Sequence, residues 1–275
     1  MSIALYLTGL LLSIAASTLP RIMVNEANLL AKTSTFILQR HLKNKDISAL
    51  FADNLMFDDP EIAKSSQLAY PVESIQASTK YGKYCAEIKY QPGLMLSRET
   101  LHFDSRNLKI NSIQTIYSDG MYFDDSGKDD WNAKNDYENE DDYENDLDRK
   151  NSLESARILD LACRFLEADV DQDLETQFSL LSDDAVAFGV QGKNEIISIQ
   201  KEGIEGGTTY SLPFPIQIDT NTNCVSLDFL SHKNCIIERG TDIMYFDLTL
   251  EKVVRIDTLR HTLIQPPWVK KHFNL

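Results

Sequence analysis

The sequence predicts an α+β protein made of two similar units, and three observations carry that prediction. A helix pattern followed by an acidic stretch with aromatic residues occurs near Phe36 and again near Phe165. Each copy is followed by alternating apolar and polar residues, the pattern of half-buried strands. A strongly acidic segment separates the copies. Internal similarity is the first guide to architecture, so we expect two related folding units joined by a linker.

Composition limits the classes of protein to consider. The chain has 275 residues, which is enough for two domains, and 43% of them are hydrophobic, which suits globular domains. The formal net charge of −15 argues against a nucleic-acid partner, because phosphate binding requires clustered Lys and Arg. No zinc, phosphate-loop or dinucleotide motif is present, so we expect neither a metal nor a cofactor.

The beginning of the chain is apolar and uncharged from Ile3 to Ala16. Small residues at positions 15–17 are typical of a signal-peptidase site, so residues 1–18 are interpreted as a signal peptide or apolar anchor. That interpretation predicts a secreted protein or one in the secretory pathway. The alternative is an N-terminal helix on the domain core of a cytoplasmic protein.

The first unit is assigned to residues 22–118. A helix is expected from Asn28 to Leu42, and Asp58-Asp59-Pro60 has the composition of a turn. Strands are expected at 84–90, 94–103 and 108–117.

Residues 119–151 are predicted to be a disordered acidic linker. Thirteen acidic and four basic residues lie between Asp119 and Lys150, and aliphatic residues are nearly absent. Such a segment buries too little surface to offset the entropy of ordering. Its charge suits a basic partner, and a plain soluble tether is the alternative.

The second unit is assigned to residues 152–264, with a tail at 265–275. Asn151 and Glu154 have the spacing of a capping box, and Ile158, Leu161 and Phe165 then mark one helical face. A short helix is expected at 194–201, followed by strands at 214–219, 224–230, 235–250 and 252–263. Cys224 and Cys235 flank a predicted hairpin, and their spacing leaves a disulfide between them open.

The order of these elements resembles the SnoaL-like members of the nuclear-transport-factor-2-like superfamily. The resemblance in the second unit is carried by Leu181-Ser182-Asp183-Asp184-Ala185-Val186-Ala187-Phe188 and by Gly192-Lys193-Asn194-Glu195. In the first unit it is carried by Met56-Phe57-Asp58-Asp59-Pro60, although the pattern departs after Pro60. The resemblance implies two cone-shaped domains, each a curved antiparallel sheet wrapped on helices around an apolar cavity. It also implies that the two units could form an intramolecular pseudo-dimer through their sheets.

Members of that superfamily are isomerases, cyclases, hydrolases or binding modules, so fold alone does not assign an activity. The first expectation is a noncatalytic module that binds a small apolar ligand or a protein partner. The alternative is a small-molecule isomerase or hydrolase with acid–base residues in the cavity of the second unit.

Four residues are candidates for acid–base groups in a cavity: Asp228, Tyr245, His261 and Asp59. Each has a plainer structural alternative. Asp228 occupies the polar phase of its strand, Tyr245 suits a core aromatic, and His261 suits a surface position. Asp59, before Pro60, suits a turn.

Overall fold

The computed structural model describes residues 25–42, 48–57, 71–80, 83–91, 96–117, 141–233 and 236–264. The expected signal peptide, most of the acidic linker, Asp59, Cys235 and the tail lie outside these residues. Within them, no helix combines the length and the apolar character needed to cross a bilayer.

Four helices and twelve strands make up the described chain. The helices are α1 (Glu26–His41), α2 (Asp141–Val170), α3 (Leu174–Leu180) and α4 (Lys193–Glu205), with a 3₁₀ turn at Ser48–Leu50. The strands of the first half are β1 (Phe51–Phe57), β2 (Val72–Ser78), β3 (Cys85–Tyr90), β4 (Leu96–Phe103) and β5 (Ile110–Tyr117). Those of the second half are β6 (Leu181–Ala187), β7 (Val190–Gln191), β8 (Thr209–Ser211), β9 (Ile216–Asp219), β10 (Cys224–Lys233), β11 (Ile236–Asp247) and β12 (Lys252–Ile264).

The strands form one open sheet, in the order β1-β5-β4-β3-β2-β9-β10-β11-β12-β6-β7, with β8 paired to β10. Each half contains an antiparallel meander, β2–β5 in the first half and β9–β12 in the second. The last strand of each meander also pairs in parallel with the first strand of the same half, β5 with β1 and β12 with β6. Register shifts in the β11–β12 pair, at Arg239/Gly240 and Tyr245/Phe246, add bend and twist to the sheet. The result is a mixed α+β fold with a large curved sheet, as the sequence predicts at the level of fold class.

The halves meet edge to edge, where β2 pairs antiparallel with β9 through Ser74↔Gln217 and Ile75↔Ile216. Both isoleucines are buried. Helix α1 also lies against α2, and a single hydrophobic cluster includes residues of both halves. The two halves of the chain therefore share one continuous core, where the sequence had suggested two cores separated by a linker.

In each half, one residue on each of four neighbouring strands forms a row of cross-strand partners, and the residue types in the two rows follow a similar order. In the first half the row is Ile75, Ile88, Glu99 and Thr115. In the second half the row is Ile216, Leu227, Asp242 and Thr258. An acidic residue therefore occupies the third strand of each meander, with a threonine beside it on the next strand.

Helix α1 begins at a reciprocal cap. The Asn25 side chain accepts a hydrogen bond from the Asn28 backbone N–H at 2.9 Å, and the Asn28 side chain accepts one from Asn25 N–H at 3.2 Å. The predicted capping box at Asn151 and Glu154 is wrong, because helix α2 begins at Asp141 and runs through Asn151. No Gly or Pro interrupts residues 141–170, so the sequence contains no strong helix breaker there. The last eleven residues of the expected disordered linker are thus helical.

The disulfide that the sequence leaves open concerns Cys224 and Cys235. Cys224 carries a free thiol at the beginning of β10. Cys235 lies outside the described residues.

Candidate functional site

A cavity of about 660 Å³ opens between the sheet of the second half and its helices. Its walls come from the end of α2, from α4 and from the inner face of β10, β11 and β12. Apolar side chains form part of the lining, among them Phe165, Leu166, Met244 and Ile256. That volume is ordinary for a small-molecule site.

Two carboxylates, Asp169 and Asp242, line this cavity. Asp169 is the next-to-last residue of α2 and follows Phe165 and Leu166 by four and three positions, so it shares their apolar helix face. Asp242 stands on β11 in the same alternation as Met244 and Phe246, the buried phase of that strand. Both carboxylates therefore project toward the interior instead of into bulk water.

Removal from water raises both carboxyl pKa values. Burial raises the pKa of Asp169 to about 6, and the charge of Asp242 adds to the effect. Burial likewise raises the pKa of Asp242 to about 6. A carboxyl that titrates near neutrality can be either a proton acceptor or a proton donor under ordinary conditions.

Each carboxylate is held by one neutral hydrogen-bond donor. Gln177 Nε2 of α3 donates to Asp169 Oδ1 at 2.7 Å, and Thr258 Oγ1 of β12 donates to Asp242 Oδ1 at 2.6 Å. Gln177 is 1% exposed, so its orientation is fixed by the surrounding core. These bonds oppose the rise in both pKa values, but burial outweighs them.

Tyr210 adds a third polar group to the lining. Burial raises its pKa to about 12, and the charges of Asp169 and Asp242 contribute. The phenol therefore stays protonated and can donate a hydrogen bond to an oxygen of a bound molecule. Its ring packs edge-on against Phe229 at 5.9 Å between centroids.

Gly240 gives Phe229 its place in the cavity wall. Phe229 and Gly240 are cross-strand partners. A Cβ atom on Gly240 would lie 2.4 Å from Cζ of the Phe229 ring, well inside van der Waals contact. The aromatic ring can occupy this part of the wall because residue 240 lacks a side chain.

Two of the predicted site residues, Asp228 and Tyr245, lie outside this cavity. Asp228 is on the opposite phase of β10 from Leu227 and Phe229, and it contacts Arg239 Nη2 at 2.6 Å and the Thr241 hydroxyl. Tyr245 is on the opposite phase of β11 from Asp242, and the Arg255 guanidinium lies 5.6 Å from its ring centroid. Neither is among the cavity-lining residues of the described chain. The side chains of His261 and Asp59 lie outside the described residues.

Sequence reasoning missed both Asp169 and Asp242, although each carries a usable signal. Asp242 is a charged residue in the apolar phase of a strand, and Asp169 is one on the apolar face of a helix. A charge in an apolar phase is uncommon unless it is paired or functional. Neither has a positively charged hydrogen-bond partner within the described part of the chain.

A buried ion pair lies in the interior of the first half. Arg40, the next-to-last residue of α1, donates to both carboxylate oxygens of Glu99, at 2.7 and 3.1 Å. Tyr90 Oη donates to the same carboxylate at 2.5 Å. All three residues are buried. Burial opposes the charge on Arg40, but the Glu99 carboxylate keeps the pKa of Arg40 raised.

Metal coordination has no support in the described residues, where no cluster of three or more His, Cys, Asp or Glu has metal-binding geometry. The two cavity carboxylates together supply fewer protein ligands than a typical structural or catalytic metal site.

Neither protein-family models nor the sequences of curated proteins gave a match to the chain. Solved structures similar to it include a putative ketosteroid isomerase from Kribbella flavida, with 13% identity over 42% of this chain and 86% of that one, at a TM-score of 0.35. They also include a putative SnoaL-like polyketide cyclase from Shewanella putrefaciens, with 13% identity over 38% of this chain and 79% of that one, at a TM-score of 0.33.

A third similar structure is an epoxide hydrolase of Mycobacterium tuberculosis, with 14% identity over 38% of this chain and 83% of that one, at a TM-score of 0.33. Other similar structures are proteins of unknown function with cystatin-like or nuclear-transport-factor-2-like folds. The structures similar to this chain thus include a putative isomerase, a putative cyclase and an epoxide hydrolase, beside others of unknown function.

Proposed function

We propose that the protein is an acid–base enzyme that moves a proton on a small molecule bound in the second-half cavity, as an isomerase or hydrolase does. The observation that carries this proposal is the pair Asp169 and Asp242, two carboxyls with raised pKa values in one partly apolar cavity. Structural carboxylates are usually solvated or paired with a cation. An uncompensated pair in a cavity is the arrangement expected of a catalytic site.

The pair can supply one base and one acid at the same time. The charge of Asp242 raises the pKa of Asp169, so ionisation of Asp242 favours the protonated form of Asp169. With one carboxyl of the pair ionised, that group accepts a proton from the substrate, while the protonated carboxyl donates one. Tyr210 is the donor available to stabilise negative charge on a substrate oxygen.

A comparison of the two halves supports placing the activity in the second. We infer that the halves are tandem units of one fold, packed as an intramolecular pseudo-dimer about the pairing of Ile75 with Ile216. The equal cross-strand rows then match Glu99 with Asp242, and the equal positions in α1 and α2 match Arg40 with Asp169. In the first half this pair is a closed ion pair, whereas in the second half it is two acids beside an open cavity.

The test uses a neutral carbon acid, nitrobenzisoxazole, as a probe. A carboxylate base removes its ring C–H proton, the N–O bond breaks, and the electron pair leaves on oxygen to give a coloured cyanonitrophenolate. We expect turnover by the wild type with a rate that rises through about pH 6. Replacing the base with its amide should slow the reaction by about 10²–10⁴-fold.

Three variants interpret the experiment. Asp169→Asn and Asp242→Asn should lower the rate, and the one that loses more identifies the base. Asp257→Asn is the matched control, because Asp257 is on β12 in an exposed ion pair with Arg255. Equal rates in wild type and both cavity variants would refute the acid–base proposal.

A noncatalytic ligand-binding role is the second candidate, and the apolar part of the lining, with Phe165, Leu166, Met244 and Ile256, favours it. That role predicts probe binding without turnover.

Binding of a basic partner by the acidic segment remains a separate proposal. It is tested by deleting residues 124–140, which leaves the described helix α2 intact, and measuring capture by immobilised polylysine.

A further inference from the structure

The rim of the second-half cavity is basic, in contrast to the carboxylates farther inside. Lys233, Arg239 and Arg260 line the cavity, and Glu238 is the one acid beside them among the lining residues of the described chain other than Asp169 and Asp242. The whole chain carries a net charge of −15. A concentration of cations at this opening is therefore not a consequence of overall composition.

Two of these cations are available to a ligand. Lys233 makes no ion pair within the described residues, and its ammonium lies next to Gly206 at the C-terminal end of α4, where the helix dipole favours a positive charge. Arg260 contacts Glu238 at 3.3 Å, but its side chain is 74% exposed. Arg239 is committed elsewhere, because it pairs with Asp228 on the outer face and lies over the Phe214 ring at 4.7 Å.

Strand register gives the distances between the rim and the carboxylates. Arg260 is two residues along β12 from Thr258, the partner of Asp242, which corresponds to about 7 Å. Lys233 is six residues along β10 from Leu227, which faces Asp242, or roughly 20 Å. An anionic group held between these cations would lie roughly 7–20 Å from the carboxylate pair.

We propose that the ligand of this cavity is an amphiphilic organic acid, held at the rim by Lys233 and Arg260 with its uncharged end toward Asp169 and Asp242. The orientation of the uncharged end toward Asp169 and Asp242 rests on the proposed acid–base function, whereas the anion site at the rim does not. The interior carboxylates repel an anion, so the rim is the place where a negative group is stable. The same charges orient the molecule with its apolar part inward, against Phe165, Leu166, Met244 and Ile256.

A matched pair of fluorescent probes tests the charge requirement. Anilinonaphthalenesulfonate carries one negative charge, and phenylnaphthylamine has the same aromatic scaffold without it. We expect the full-length protein to bind both, and the neutral probe to displace the sulfonate because they share one cavity. The double substitution Lys233→Gln and Arg260→Gln should weaken the sulfonate about tenfold and leave the neutral probe unchanged.

The control is Lys201→Gln, because Lys201 is an exposed lysine of α4 that pairs with Glu205 and does not line the cavity. It should leave both affinities unchanged. An unchanged sulfonate affinity in the rim variant, an equal loss for both probes, or failure of the neutral probe to displace the sulfonate would each overturn the proposal.

This result can be separated from the catalytic proposal. Nitrobenzisoxazole turnover depends on the interior carboxylates, so Asp242→Asn should lose it while Lys201→Gln, outside the cavity, retains it. A rim variant with the expected probe selectivity, combined with no turnover by any form of the protein, would support the anion site and refute the acid–base function.

Discussion

Replacing Asp242 with Asn should stabilise the protein at neutral pH, because the native cavity forces a carboxylate to ionise away from bulk water. Burial raises the pKa of Asp242 from 3.8 to about 6. A raised folded-state pKa means that the native state binds more protons than the unfolded chain between about pH 4 and pH 6. Its contribution to stability therefore falls as pH rises through that window.

The size of the effect follows from that pKa change. At pH above both values, the difference corresponds to about 3 kcal/mol of lost stability. The cavity is open to solvent, so we take about half of that figure, or 1–2 kcal/mol. Asn keeps an oxygen that can accept the Thr258 hydrogen bond, so the substitution removes the charge and little else.

Urea unfolding at two pH values measures this prediction. Near pH 7.5 the Asp242→Asn protein should be more stable by about 1–2 kcal/mol, and near pH 4 most of that gain should be gone. Asp257→Asn, on the same strand, should change stability by less than about 0.5 kcal/mol. A variant no more stable than wild type near pH 7.5, or a gain that is equal at both pH values, would refute the reasoning.

Three further predictions concern the core and the site. Glu99→Gln should lower the free energy of unfolding in urea by about 3–5 kcal/mol, because it leaves the buried Arg40 guanidinium without its carboxylate. Adding Arg40→Met should recover much of that loss. A double variant as unstable as the sum of both single variants would contradict this. Gly240→Ala should lower stability by about 1–3 kcal/mol, because its Cβ clashes with the Phe229 ring. Gly203→Ala, which has open space at its Cβ, should lower stability by much less. Equal shifts of the melting temperature in the two variants would argue against the packing described. Gln177→Leu should raise further the pKa of the carboxyl it hydrogen-bonds, and an unchanged value in a carboxyl NMR titration would exclude that contact.

Helices α1, α2 and α4 and most of the meander strands were predictable because they carry strong local patterns, whereas helix α3 and the meander strand β2 were not predicted. Expected strands such as 84–90 and 108–117 correspond closely to Cys85–Tyr90 and Ile110–Tyr117. Strands β1 and β6 were missed, since their acidic sequences lack clean alternation and their pairing with β5 and β12 is parallel and distant in sequence. The start of α2 was misplaced because a charged composition was interpreted as disorder, although it is compatible with a helix.

The candidate site was predicted only as a location. The sequence placed it in a cavity of the second unit, but chose Asp228 and Tyr245, which occupy the outward phases of their strands. Asp169 and Asp242 are separated by 73 positions, and no local spacing relates them. Their raised pKa values come from shared burial, which is a property of the packed cavity.

The sequence by itself determined the α+β class and the order of most elements, because side-chain periodicity and turn chemistry are local. Only the tertiary structure decided that β2 and β9 join the halves into one sheet. It also decided that one interior contains the buried ion pair of Arg40 and Glu99, while the other has two acids beside an open cavity. The physical reason is that strand-edge pairing and desolvation depend on which residues distant in sequence come into contact, and local sequence patterns do not specify those contacts.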